Sequence, residues 1–232
     1  MGNKTSIHVT KHPSLWVGLG GLLLFLLFAV SCSESDDEET TDEFANWQVR
    51  NDAYFASLED SLFKAMSSSL ATEASRWKKI KTYTKDENTA GANTDYIYVK
   101  VLTSSTIYDK SPLYSDSVRV AYRGRLIPSI TYPQGYVFDQ TYVGDFNVNT
   151  TSVRDGVPSG YVDGFATALQ HMHIGDRWLV YIPYQLGYGT SANGSIPAYS
   201  VLIFDMVLLD FVTDSYSFYP WTSRTVSSES RF

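Results

Sequence analysis

The sequence predicts an α+β fold, a sheet-rich domain with one short internal helix and a second helix ahead of it. Three observations lead there. Residues 95–102 (DYIYVKVL), 118–126 (VRVAYRGRL) and 202–208 (LIFDMVL) have strand composition and alternate at period two. Only two stretches, 44–71 and the short run from Asp163, repeat apolar residues at helical spacing. Aromatic residues make up 15% of the chain, led by 17 Tyr, which suits strands and aromatic-lined clefts. With 232 residues, 44% of them hydrophobic and 19% charged, the chain can bury a sizeable core.

In chain order, residues 1–14 carry Lys4 and Lys11 and no acid, and residues 15–30 are almost wholly apolar. Ala29-Val30-Ser31-Cys32 follows, so residues 1–31 read as an export signal peptide. Cys32 is the single cysteine, which excludes an intrachain disulfide. Seven of the eleven residues 33–43 are acidic, and 32–43 reads as a solvated, self-repelling tether. In 44–71, Tyr54, Phe55, Leu58, Leu62 and Met66 form an apolar stripe, and 44–93 reads as an N-terminal helical segment. Its expected role is packing on the flank of the domain. Dimerisation is the alternative, less favoured because a single helix makes a small dimer module.

The main domain spans residues 94–212. Pro128, Pro133 and Gly135 mark 127–136 as an inserted loop between two strands. In the short helix, Phe165, Ala168, Leu169 and Met172 share one face, with Asp163 as the expected N-cap and Gly175 as the stop. Residues 178–182 form a strand ended by Pro183, and a Gly-rich loop leads to the last strand. Residues 213–232 form a Ser-rich tail.

A net charge of −7 disfavours phosphate contacts, so no nucleic-acid partner is expected. Hydrolase and nucleotide-binding motifs do not stand out. His171 and His173, two residues apart at a helix end, do not converge on a metal and read as surface residues. No metal and no cofactor are expected.

The segments DGF-x6-M-x2-GDR, VYIPYQLGYG and SIPAYSVLIFDMVLLD occur in one order, preceded by VRVAYRGRL and VFDQT. This set resembles the FKBP-type peptidyl-prolyl cis-trans isomerases over roughly half of the chain. The resemblance implies a curved antiparallel sheet wrapped on one short helix, and isomerisation of X-Pro bonds in proline-containing polypeptides. It also implies a site. Tyr122, Phe138, Asp139 and Tyr188 fall on family positions that act on the bond. Phe146, Tyr161, Val162, Phe165, Ile196 and Phe204 fall on positions that bind substrate. Phe165 stands where the family usually has Trp at the cleft floor, and Ala198 stands where it usually has a second Pro.

Residues 29–32 resemble a bacterial lipobox, with Ala29 where Leu is usual. That resemblance implies lipidation of Cys32, a membrane anchor and a cell-envelope location as an outer-membrane lipoprotein facing the periplasm or the cell surface. The acidic run after Cys32 resembles the export signal of surface lipoproteins in Bacteroides-like bacteria. The competing function is a non-catalytic binding or chaperone module on the same fold, which the substituted floor and the long 127–136 loop favour.

Overall fold

The structure, a computed structural model, describes residues 42–67, 76–106 and 108–213. The expected signal peptide, Cys32, most of the tether, the predicted helix beyond Ser67 and the tail from 214 onward lie outside these residues. The elements are α1 (Trp47–Ser67), β1 (Trp77–Lys81), β2 (Tyr96–Thr103), β3 (Ser117–Arg125), β4 (Val137–Gln140), β5 (Arg154–Gly156), α2 (Asp163–Leu169), β6 (Arg177–Ile182) and β7 (Leu202–Val212). All strands pair antiparallel, in the order β1-β2-β6-β7-β3-β4, with β5 also on β3. This is the expected α+β class, a curved antiparallel sheet with one N-terminal and one short internal helix.

The register explains why the central strands are buried on both faces. Val99, Val180, Phe204 and Gly124 follow one another across the sheet, as do Tyr98, Tyr181, Ile203 and Arg125 on the opposite face. The first face receives α2, whose residues from Gly164 to Leu169 are all buried. At Gly164 a Cβ would collide with Ile182, so the absent side chain lets the helix seat directly on β6. The second face receives α1. Phe55 meets Tyr98 edge-on at 5.2 Å, and Tyr54 lies 6.4 Å from Tyr181. Trp47, Phe55 and Leu58 are buried in the shared core, with Tyr54 and Leu62 packed against it. The apolar stripe of α1 is therefore used on the flank of its own domain.

Two local readings differ from the structure, and one short strand has no counterpart in them. β1 lies in the segment read as helical; three lysines in its five residues (WKKIK) conceal the strand pattern and suit an exposed edge. Its lysine stems lie over rings, Lys79 Nζ being 4.7 Å from the centre of Tyr96 and Lys78 Nζ 4.7 Å from that of Trp178. β5 is three residues long and carries no period of its own. The N-cap of α2 is Val162, not Asp163. Asp163 sits in the first turn, where its charge suits the helix dipole, and accepts a hydrogen bond from the Tyr83 hydroxyl at 3.1 Å.

Candidate active site

The cleft begins with Gly124 on β3. A Cβ there would lie 2.6 Å from both Phe138 and Phe204, so the missing side chain makes room for two aromatic walls. These rings meet edge-on at 5.5 Å, and Phe204 meets Phe165 at 5.0 Å. Tyr122 closes the group, 5.5 Å from Phe165 and 5.9 Å from Phe204. Tyr161 stacks on Phe165 at 4.6 Å. Each contact is of the offset or edge-to-face kind that aromatic quadrupoles prefer, which makes the wall rigid. Phe165 is buried on the one helix that sits in the sheet's hollow, and so forms the floor.

The cleft is an open cavity of about 470 Å³ lined by Tyr122, Phe138, Asp139, Tyr161, Val162, Phe165, Tyr188, Ile196 and Phe204, together with Arg154 and the turn 193–195. Nine of the ten site residues expected from the sequence meet here. The tenth, Phe146, does not line the cavity. It packs edge-on against Tyr142 at 5.6 Å, beneath Arg177 at 5.5 Å. The loop 141–153 has too weak a pattern to place a single Phe, and the Tyr142–Arg177 pair offers it a ring and a cation away from the cleft.

Nothing in the sequence of the three-residue β5 marks Arg154 as part of the site. It lies 3.6 Å from Asp139 and 5.5 Å from the centre of the Tyr122 ring. The Tyr122 hydroxyl donates to Asp139 at 2.6 Å. Burial, reinforced by Asp139, raises the pKa of Tyr122 well above its ordinary value, so the hydroxyl remains a donor. Asp139 is thus held between a phenol and a guanidinium at the edge of an otherwise apolar cavity. Tyr188 stands at the exposed rim, its pKa raised by burial and then by Asp139, and its hydroxyl has no partner among the described residues. The Val162 N–H, at the start of α2, likewise has no acceptor among them.

An aromatic-walled cavity with a few fixed polar groups at its rim has the shape and chemistry to hold an apolar ring attached to a polar chain. Residues 109–209 match the FKBP-type peptidyl-prolyl cis-trans isomerase family. Among curated relatives, the Macrophage infectivity potentiator of Trypanosoma cruzi is 39% identical over 101 residues, 43% of this chain and 45% of its own. The FKBP-type 22 kDa isomerase of Escherichia coli is 36% identical over 107 residues, 44% of each chain. FkpA of E. coli is 29% identical over 187 residues, 80% of this chain and 63% of its own. The chain thus spans less than half the length of the first two. A solved isomerase of Pseudomonas syringae aligns over 70% of this chain and 96% of its own, at 21% identity and a TM-score of 0.46.

Proposed function

We propose that the protein is a peptidyl-prolyl cis-trans isomerase acting on X-Pro bonds of polypeptides in the cell envelope. The observation that carries this is the assembly of Tyr122, Phe138, Asp139, Phe165, Ile196 and Phe204 around one apolar cavity. The uncatalysed bond crosses a barrier of about 18–20 kcal/mol because twisting the amide destroys its resonance. A catalyst lowers that barrier by binding the twisted amide better than either planar form, and each ~1.4 kcal/mol of such preference is a tenfold gain in rate. The proline ring enters between Phe138, Phe165 and Phe204. The displaced carbonyl, deprived of conjugation, faces the Asp139–Tyr122–Arg154 edge in a dry setting. The free donors of Val162 and Tyr188 fix the chain on either side. The chemistry requires no nucleophile, metal or cofactor.

The same reading takes residues 1–31 as the cleaved signal peptide of a bacterial lipoprotein and Cys32 as the lipid-bearing residue. Multiple acyl chains anchor stably where a single chain does not. The protein is then an outer-membrane lipoprotein, with the acidic tether holding the domain off the surface. Support comes from the basic start, the apolar run and the cysteine directly after it.

A protease-coupled assay on a prolyl peptide tests the activity. The wild-type chain is expected to accelerate isomerisation well beyond the Phe138→Ala/Asp139→Ala double variant, and equal rates would overturn the assignment. Peptide binding without turnover would leave the non-catalytic binding module. Radiolabelled fatty acid tests the anchor: no label, or label persisting in Cys32→Ala, would refute it.

A further inference from the structure

We propose that α1 is a positioning element for the cleft: Trp47 and Asn51 hold the segment 196–201 that delivers Ile196 to the cavity, and so set how tightly the cleft grips its ligand. For the nature of that ligand, this rests on the isomerase reading above.

Two hydrogen-bonded links run from the helix to the segment. The Trp47 indole N–H donates to Ser200 Oγ at 2.8 Å, and Ser200 Oγ donates onward to the Pro197 carbonyl at 2.6 Å. A hydroxyl has one proton, and here that proton goes to the loop while a lone pair takes the helix's N–H. Asn51, wholly buried, bridges the other way. Its Nδ2 donates to the Trp47 carbonyl at 2.7 Å, and its Oδ1 accepts the Val201 N–H at 2.8 Å. Trp47 and Ser200 are also buried, so each bond replaces one that water cannot supply. Pro197 adjoins Ile196, which is buried against the cavity.

Between the anchored residues stands Tyr199, with φ at +62°. This is the left-handed region, where a bulky side chain is strained. Such a conformation persists only where its surroundings over-determine it, and it concentrates at functional sites. Within the loop, the Tyr199 N–H donates to Gly189 at 3.0 Å and its ring meets Tyr184 edge-on at 5.2 Å. The remaining restraint comes from α1, at the next two residues. The chain entering α1 is similarly set, with Asn46 at φ +52° directly before Trp47. An asparagine tolerates that region better than most residues. Both partners of the clamp are thus presented by fixed, uncommon backbone.

The test uses the full chain with Trp47→Phe, which keeps an aromatic ring and loses the donor, and Ser200→Ala, which removes both hydrogen bonds of that hydroxyl and leaves the Asn51–Val201 link in place. Leu58→Ala serves as a control, since it opens the same helix interface without touching the segment. In both clamp variants the amides of Ile196 and Tyr199 are expected to exchange hydrogen about tenfold faster, the worth of one buried hydrogen bond. The KM for a prolyl peptide rises by a similar factor while kcat stays near wild type. Leu58→Ala lowers the thermal midpoint and moves neither readout. Unchanged exchange at these amides in both clamp variants overturns the proposal. So does equal acceleration in Leu58→Ala at a matched loss of midpoint. If the wild-type chain shows no turnover, the isomerase reading fails, and the exchange rates alone decide the clamp.

Discussion

Gly124→Ala inserts one methyl group where the cleft has no space for it. The new carbon would stand 2.6 Å from Phe138 Cε2 and from Phe204 Cε1. Carbon atoms at ease lie about 3.5–4.0 Å apart, so at least one ring must retreat by roughly an ångström. Phe204 is only 5% exposed and is wedged against Phe165 and Tyr122. Phe138 is half-buried at the mouth and is the ring that yields. Overpacking of this kind costs about 1–3 kcal/mol, reduced by up to ~1 kcal/mol because alanine suits a strand interior better than glycine. For a domain of this size the thermal midpoint falls by up to about 12 °C. Activity suffers more than stability, because Phe138 is a wall of the cavity and a 1 Å misplacement can cost up to roughly a hundredfold. The expected loss in kcat/KM on a prolyl peptide is about ten- to a hundredfold, read beside a calorimetric midpoint. A Gly124→Ala chain with wild-type midpoint and wild-type kcat/KM would show that the two rings do not form the cleft as described.

Other outcomes follow from the same packing. Gly164→Ala drives a methyl into Ile182 beneath α2 and is expected to cost at least as much stability, seen as a lower urea midpoint with unchanged m-value. Phe165→Trp, which restores the usual floor residue of the family, overfills a site where Phe165 is already in contact with Tyr122, Tyr161 and Phe204; the expected cost is about 1–3 kcal/mol, and a rise in thermal midpoint would refute the description of a closed floor. Burial pushes the Tyr142 and Tyr181 hydroxyls up to about 12 from the ordinary 10.0, with Asp205 adding at Tyr142 and Tyr54 at Tyr181. Between these values the folded chain retains protons that the unfolded chain has released, so their contribution is full below pH 10, declines as pH rises and is lost by about pH 12. Urea titrations over that range should show the decline, and Tyr142→Phe should flatten it.

Several features were legible in the residues themselves. Strand composition and period-two spacing marked β2, β3 and β7, whose successive residues turn to opposite faces of the sheet. The face of α2 was legible because Phe165, Ala168 and Leu169 recur at helical spacing. Ordered motifs also pointed to nine cleft residues scattered from Tyr122 to Phe204, although no local pattern could bring them together. Other features depended on chain segments meeting in space. β1 is a strand because β2 offers it a pairing edge, and its lysines find aromatic faces there; neither is written in WKKIK. Arg154 joins the site because β5 pairs with β3 beside Tyr122, and Phe146 leaves it because Tyr142 and Arg177 offer closer partners. The same holds for the cleft itself: the sequence determined which aromatic residues it would use and that Phe165 would replace Trp at the floor. Only the tertiary structure decided that Gly124 admits the walls and that α1, some 150 residues away in sequence, holds the segment behind Ile196. The physical reason is that packing and hydrogen bonding depend on distance in space, while periodicity records only which side of an element is to be buried.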